Sequence, residues 1–139
     1  MMKQWISSFL SSQDNSGKLQ AKTSTDRILG RYINESADFH IAILKASDTY
    51  CGELVWVNPN CSLTTDQNNP NRYLRYRQLQ GIPILSGLTF NGSCWGEGKI
   101  YNPLDGKYGE CEVTLTADGD LHVTIRYSLL STTKVWRRI

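Results

Sequence analysis

Residues 95–127 read WGEGKIYNPLDGKYGECEVTLTADGDLHVTIRY. Three runs of strand character are joined there by two turns. Asn102-Pro103-Leu104-Asp105-Gly106 forms the first turn and Ala117-Asp118-Gly119-Asp120 the second. Proline presets a turn dihedral, and glycine takes up the positive φ that other residues resist. Between the turns Cys111, Val113 and Leu115 alternate with Glu110, Glu112 and Thr114. Beyond them Leu121, Val123, Ile125 and Tyr127 alternate with His122, Thr124 and Arg126. A period of two, broken by turn residues, predicts a half-buried antiparallel meander. The second turn predicts a register in which Glu110 faces Arg126 and Cys111 faces Ile125.

Outward from this stretch the same pattern continues. Gly30-Arg31-Tyr32 opens the regular part of the chain. Phe39–Leu44 and Glu53–Val57 make an antiparallel pair around a turn at Ser47-Asp48-Thr49. Residues 58–80 carry no strand signal. Asn69-Pro70 predicts the start of a short helix in the 66–80 loop, with Asn69 as cap and Pro70 in the first turn. Its aromatics, Tyr73 and Tyr76, are expected inside and its arginines in solvent. Extended chain resumes at Gly81–Leu85, with Pro83 at a bend, and Leu88–Phe90 is a short strand. Asn91-Gly92 carries a two-residue hairpin signal. Ser128–Thr133 reads as a loop and Lys134–Arg138 as a last strand. About eight strands linked mostly by short turns fit an up-and-down barrel or a strongly coiled sandwich, which hides the sheet edges.

Residues 1–26 differ. Met2, Trp5, Ile6, Phe9 and Leu10 recur at helical spacing, and a Ser/Thr-rich polar stretch follows. The chain therefore divides into an N-terminal extension, 1–26, and a β domain, 27–139. Lys3 is the only basic residue at the start, and Ser7 and Ser8 break the apolar part, which does not fit a secretory signal.

With 139 residues, of which 40% are hydrophobic, a single self-sufficient core is expected. No run is long and apolar enough for a membrane span. Fifteen basic against 13 acidic residues, a net charge of +2, is too balanced to point to nucleic acid or an anionic membrane. Cys51, Cys61, Cys94 and Cys111 allow three disulfide pairings, or buried free thiols; their spacing lacks the CxxC of zinc sites.

Several motifs resemble a bacterial family of unknown function, numbered 2147. They are Asp66-x-x-Asn69-Pro70, Arg77-x-Leu79-x-Gly81 and Gly98-Lys99-Ile100-Tyr101-x-Pro103-x-x-Gly106-x-Tyr108, with Gly30-x-Tyr32 near the start and Val135-Trp136-Arg137 at the end. The likeness spans about residues 29–139. It implies an all-β fold, an antiparallel lipocalin-like (calycin) barrel of about eight strands. It also implies a periplasmic or secreted protein of Gram-negative bacteria, without an established activity. Tyr32 stands where lipocalins carry the tryptophan of their G-x-W motif. Arg137 or Arg138 is expected over its ring as a cation–π partner.

The candidate chemistry is thin. Gly92-Ser93-Cys94-Trp95 copies part of a papain-type motif, but the cysteine enters a strand and only His122 follows it. His40 lies in an apolar strand and reads as structural. Asp66 and Asn69 offer two oxygens, far short of a calcium shell, so no metal and no cofactor are expected. Arg72-Tyr73-Leu74-Arg75-Tyr76-Arg77 interleaves base and aromatic; a nucleic-acid partner is not expected from it. Arg77 is expected to bond Asp66 or loop carbonyls.

The leading expectation is a non-enzymatic domain holding a small hydrophobic or amphiphilic ligand. Trp56, Tyr101 and Tyr127 would line its wall, with Arg75 and Arg77 at its mouth to meet an anionic head. Such a site calls for a cavity of about 300 Å³ or more beside the 66–80 loop. Two other readings stand: a filled barrel that docks a partner protein, and a small enzyme with an unidentified site.

Overall fold

The computed structural model describes residues 24–139. The amphipathic stripe at 2–10 and the polar stretch after it lie outside these. A 3-10 turn, Ser24–Ile28, leads into β1 (Gly30–Ile33), β2 (Phe39–Ala46) and β3 (Thr49–Val57). After a long connection come β4 (Pro83–Phe90), β5 (Trp95–Asn102), β6 (Lys107–Leu115), β7 (Leu121–Tyr127) and β8 (Leu130–Arg138). Each strand pairs antiparallel with the next, and β8 returns to β1, closing the sheet into an eight-stranded barrel. Closure leaves a single interior, so one face of every strand turns inward.

The β6–β7 hairpin has the register its alternation predicts. Glu110 faces Arg126, Cys111 faces Ile125 and Val113 faces Val123. The outer pair closes as an ion pair at 3.2 Å. Both partners are exposed, so it sets register more than stability.

The two barrel ends differ. One carries the Ser24–Ile28 turn and the loops at 47–48, 91–94 and 116–120. Ile28, Tyr32, Trp95 and Leu121 are each 0% exposed and fill this end. Arg138 seals it. Its guanidinium lies 4.9 Å from the Tyr32 ring centroid and donates to the carbonyls of Arg27, Leu29 and Gly119 at 2.8–3.0 Å. The expected arginine-over-tyrosine contact is thus made by Arg138. Arg137, one residue earlier, faces solvent, as strand alternation requires.

Several expectations need correction. The helix in the 66–80 loop is one 3-10 turn, Arg72–Leu74, capped by Asn71 and not by Asn69. The Asn69 amide donates to Asp66 and its oxygen accepts from the Asn71 backbone, so it is not available as the cap. Tyr73 and Tyr76 are 78% and 88% exposed, not inside, because so short a turn has no buried face. Asn91-Gly92 is not a two-residue hairpin. Phe90 pairs with Trp95, and the Asn91 side-chain oxygen accepts from the backbone N–H of Ser93 and Cys94, which rounds a four-residue loop. Ser131–Thr133 lie in β8, not in a loop, facing Arg126, Ile125 and Thr124 across from β7. All four cysteines are free thiols.

β8 meets β1 only through Tyr32–Arg138 and Ile33–Arg137. β1 ends at Ile33, so among the described residues β8 from Leu130 to Trp136 is paired on its β7 side alone. The barrel is zipped at its sealed end and parted along this seam towards the other.

Candidate functional site

The open end carries the connections at 34–38, 58–82, 103–106 and 128–129. The long 58–82 connection is folded down by a buried polar cluster. Asp66, 0% exposed, accepts from the Tyr101 hydroxyl at 2.5 Å, from Arg77 through Nε and Nη2 at 2.9 Å each, and from the Asn69 amide at 2.8 Å. A buried carboxylate is tolerable only when its oxygens are met in this way. Burial, reinforced by the bond to Asp66, pushes the Tyr101 hydroxyl pKa up. The Asn68 amide donates to the carbonyls of Pro103 and Leu104, which ties the connection to the β5–β6 turn. That turn requires Gly106, at φ 73°, because a Cβ there would stand 1.9 Å from the Asn68 carbonyl oxygen. The glycine, proline, asparagine and aspartate of the sequence motifs therefore meet in one place.

Beside this cluster the barrel interior is not filled. A cavity of about 210 Å³ opens at this end. Phe39, Ile41, Ile84, Ile100 and Ile125 supply its apolar wall, with Trp136 below. Asn34, Glu35 and Ser36 border it from the β1–β2 loop, and Asn102, Pro103 and Leu104 from the β5–β6 turn. Lys134 enters the lining from β8. The arrangement is an apolar cup with polar groups at its rim. It is smaller than the expected 300 Å³ or so, because Leu54, Leu85, Leu88, Val113 and Val123 pack the middle and sealed part of the barrel.

Tyr101 and Tyr127 line the cup as anticipated. Trp56 does not. The β2–β3 register slips between His40 and Ile41, so that Ile41 faces Leu54 but His40 faces Trp56. The extra residue, Val55, reverses the phase of the strand. Val57 packs on the core, while Trp56 stacks against His40 with ring centroids 4.3 Å apart. Nor do Arg75 and Arg77 reach the cup: Arg75 Nε donates to the Asn69 carbonyl at 2.7 Å, and Arg77 is held by Asp66. Both arginines serve the fold of the connection.

The cation that does line the cup, Lys134, was not anticipated. Its signal was present, since it stands two residues before Trp136 and so shares its face. Its register partner is Val123, which is 0% exposed and inward. Phe39, Ile41, Ile84, Ile125 and Trp136 were likewise not singled out as lining, although Ile125 was legible as an inward position. Tyr108 lies outside the cup and stacks on Tyr101 at 4.6 Å.

Known proteins agree with this architecture. A solved protein of the human pathogen Helicobacter pylori, described as belonging to the lipocalin family, superposes with a TM-score of 0.73 at 25% identity, over 81% of this chain and 82% of its own. No curated protein matches the chain in sequence. Residues 30–138 match the family described as "Uncharacterized protein conserved in bacteria (DUF2147)". The match takes in the Gly30-x-Tyr32 start, the Asp66 cluster, the Gly98–Tyr108 motif and Arg138. The chain therefore belongs to this bacterial family and folds as a lipocalin-like barrel.

Proposed function

We propose that the chain is a non-enzymatic carrier or sensor that takes a small hydrophobic or amphiphilic molecule into the cup. The observation that carries this reading is the cup itself. It is a largely apolar hollow of about 210 Å³, with polar groups at its rim and Lys134 on its β8 side, in a barrel otherwise packed with side chains. A packed protein interior keeps few voids larger than a water molecule. At about 30 Å³ per water molecule, this one has room for roughly seven. It would seat a short apolar tail and leave the rest of a longer guest in the seam or outside. We propose a location outside the cytoplasm, which the family resemblance of the sequence motifs implies.

Titration with 1-octanol, followed by calorimetry, tests the reading. Saturable binding that is lost in Ile125→Phe, a substitution that fills the cup, is expected, and the guest should be recovered chemically unchanged. No heat of binding up to the solubility limit of the alcohol would overturn it. Fractionation of the native host tests the location: recovery with cytoplasmic markers refutes it.

One observation favours docking of a partner as a second reading. Tyr73, Tyr76, Leu129 and Leu130 are 76–98% exposed, all at the open end. Chemical crosslinking in the native host that traps one protein through these residues would support it.

A further inference from the structure

We propose that the guest of this cup is a single-headed anionic amphiphile, its head met by Lys134; this inference rests on the ligand-binding reading above. Lys134 is the only basic side chain among the described residues lining the cup. It stands on the inward face of β8, opposite Val123 and in phase with Trp136. It has no ion pair among the described residues. The neighbouring arginines are already committed, Arg77 to Asp66 and Arg75 to the Asn69 carbonyl. A lysine that lines an apolar hollow, with no ion pair among the described residues, is a positive pole for a guest.

The parted seam gives this pole its geometry. β1 stops at Ile33, so among the described residues no strand pairs with β8 on its β1 side at the level of Lys134, and the side chain remains exposed to solvent there. The head of the guest can therefore keep part of its water while its tail lies against Phe39, Ile41, Ile125 and Trp136. Glu35 is the one acid in the lining, and it lies exposed on the rim loop. It forms no ion pair with Lys134, which leaves the ammonium to meet an anionic head. Lysine acts as a point charge with three donors, so it selects for negative charge rather than for a planar two-pronged head.

The test compares octanoate, 1-octanol and octylamine by calorimetry at low salt, on the chain as it stands. Octanoate is expected to bind about fivefold more tightly than the alcohol, an advantage appropriate to a solvent-exposed charge pair. The advantage should fall with added salt. It should vanish in Lys134→Gln and persist in Lys134→Arg, each read as the ratio of octanoate to octanol affinity within the same variant. Equal affinities for octanoate and octanol in the unaltered protein overturn the inference and leave the cup reading standing. Tighter binding of octylamine than of octanol also overturns it, since Glu35 would then set the sign. If none of the three binds, both readings fall together.

Discussion

Arg138 and Arg137 stand side by side, yet the barrel predicts opposite outcomes for them. Arg138→Met keeps the aliphatic stem and removes the guanidinium. Three hydrogen bonds go, to the carbonyls of Arg27, Leu29 and Gly119, together with the contact over the Tyr32 ring. A net hydrogen bond contributes about 0.5–1.5 kcal/mol, and a cation–π contact about 0.5–2 kcal/mol. Water can replace part of this, since Arg138 is only half-buried. The expected loss is therefore about 3 kcal/mol, or roughly 10 °C in melting temperature for a domain of this size. Arg137→Met removes an exposed side chain and is expected to change stability by less than about 0.5 kcal/mol. Urea denaturation followed by tryptophan fluorescence measures both. Trp95 is a useful reporter because its indole N–H donates to the Thr25 carbonyl of the turn that Arg138 holds. Equal losses in the two variants, or a loss below about 1 kcal/mol in Arg138→Met, would refute the assignment of Arg138 as the seal.

Other expectations concern the open end and the core. Asp66→Asn leaves Arg77 half-buried without its anion and is expected to cost about 3 kcal/mol by chemical denaturation, with earlier proteolysis within residues 58–82. Gly106→Ala forces a Cβ against the Asn68 carbonyl at a positive φ and should destabilise by about 2 kcal/mol or more, whereas an alanine at exposed Gly92, where nothing stands within 4 Å, should cost only its backbone strain. Burial pushes the Cys111 thiol and the Tyr32 phenol each up to about 12. The folded state thus holds protons that the unfolded chain releases from about pH 9 for the thiol and about pH 10 for the phenol, so stability is complete below pH 9 and falls as the pH rises towards 12. Urea midpoints at pH 8, 10 and 11 should show that fall, and Cys111→Ala should make it shallower.

What could be read from the sequence was what repeats with the period of a strand. The β6–β7 register followed from Glu110, Cys111, Ile125 and Arg126 because clean turns bracket an unbroken alternation. The Asp66–Arg77 bond was legible because a loop must satisfy its own buried charge. Trp56 went to the wrong face because a bulge carries no signature of its own; Leu54 and Trp56 alternate perfectly, and only pairing with His40 reverses the phase. The first half of β8 was hidden for a related reason. Its Ser131, Thr132 and Thr133 are polar on both faces, as a strand with one uncovered margin can be. Lys134 was missed as a lining residue for the same cause, since a charge beside a loop reads as solvated until the strand is seen to continue.

That uncovered margin has a consequence beyond guests. Backbone N–H and C=O groups with no adjoining strand are the places where sheets of separate molecules fuse. Among the described residues Thr132, Thr133 and the charge of Lys134 guard the strip, and two chains approaching through it would bring their ammonium groups together. High-salt preparations, in which that repulsion is screened, should show pairs and longer stacks forming through β8 before any unfolding occurs.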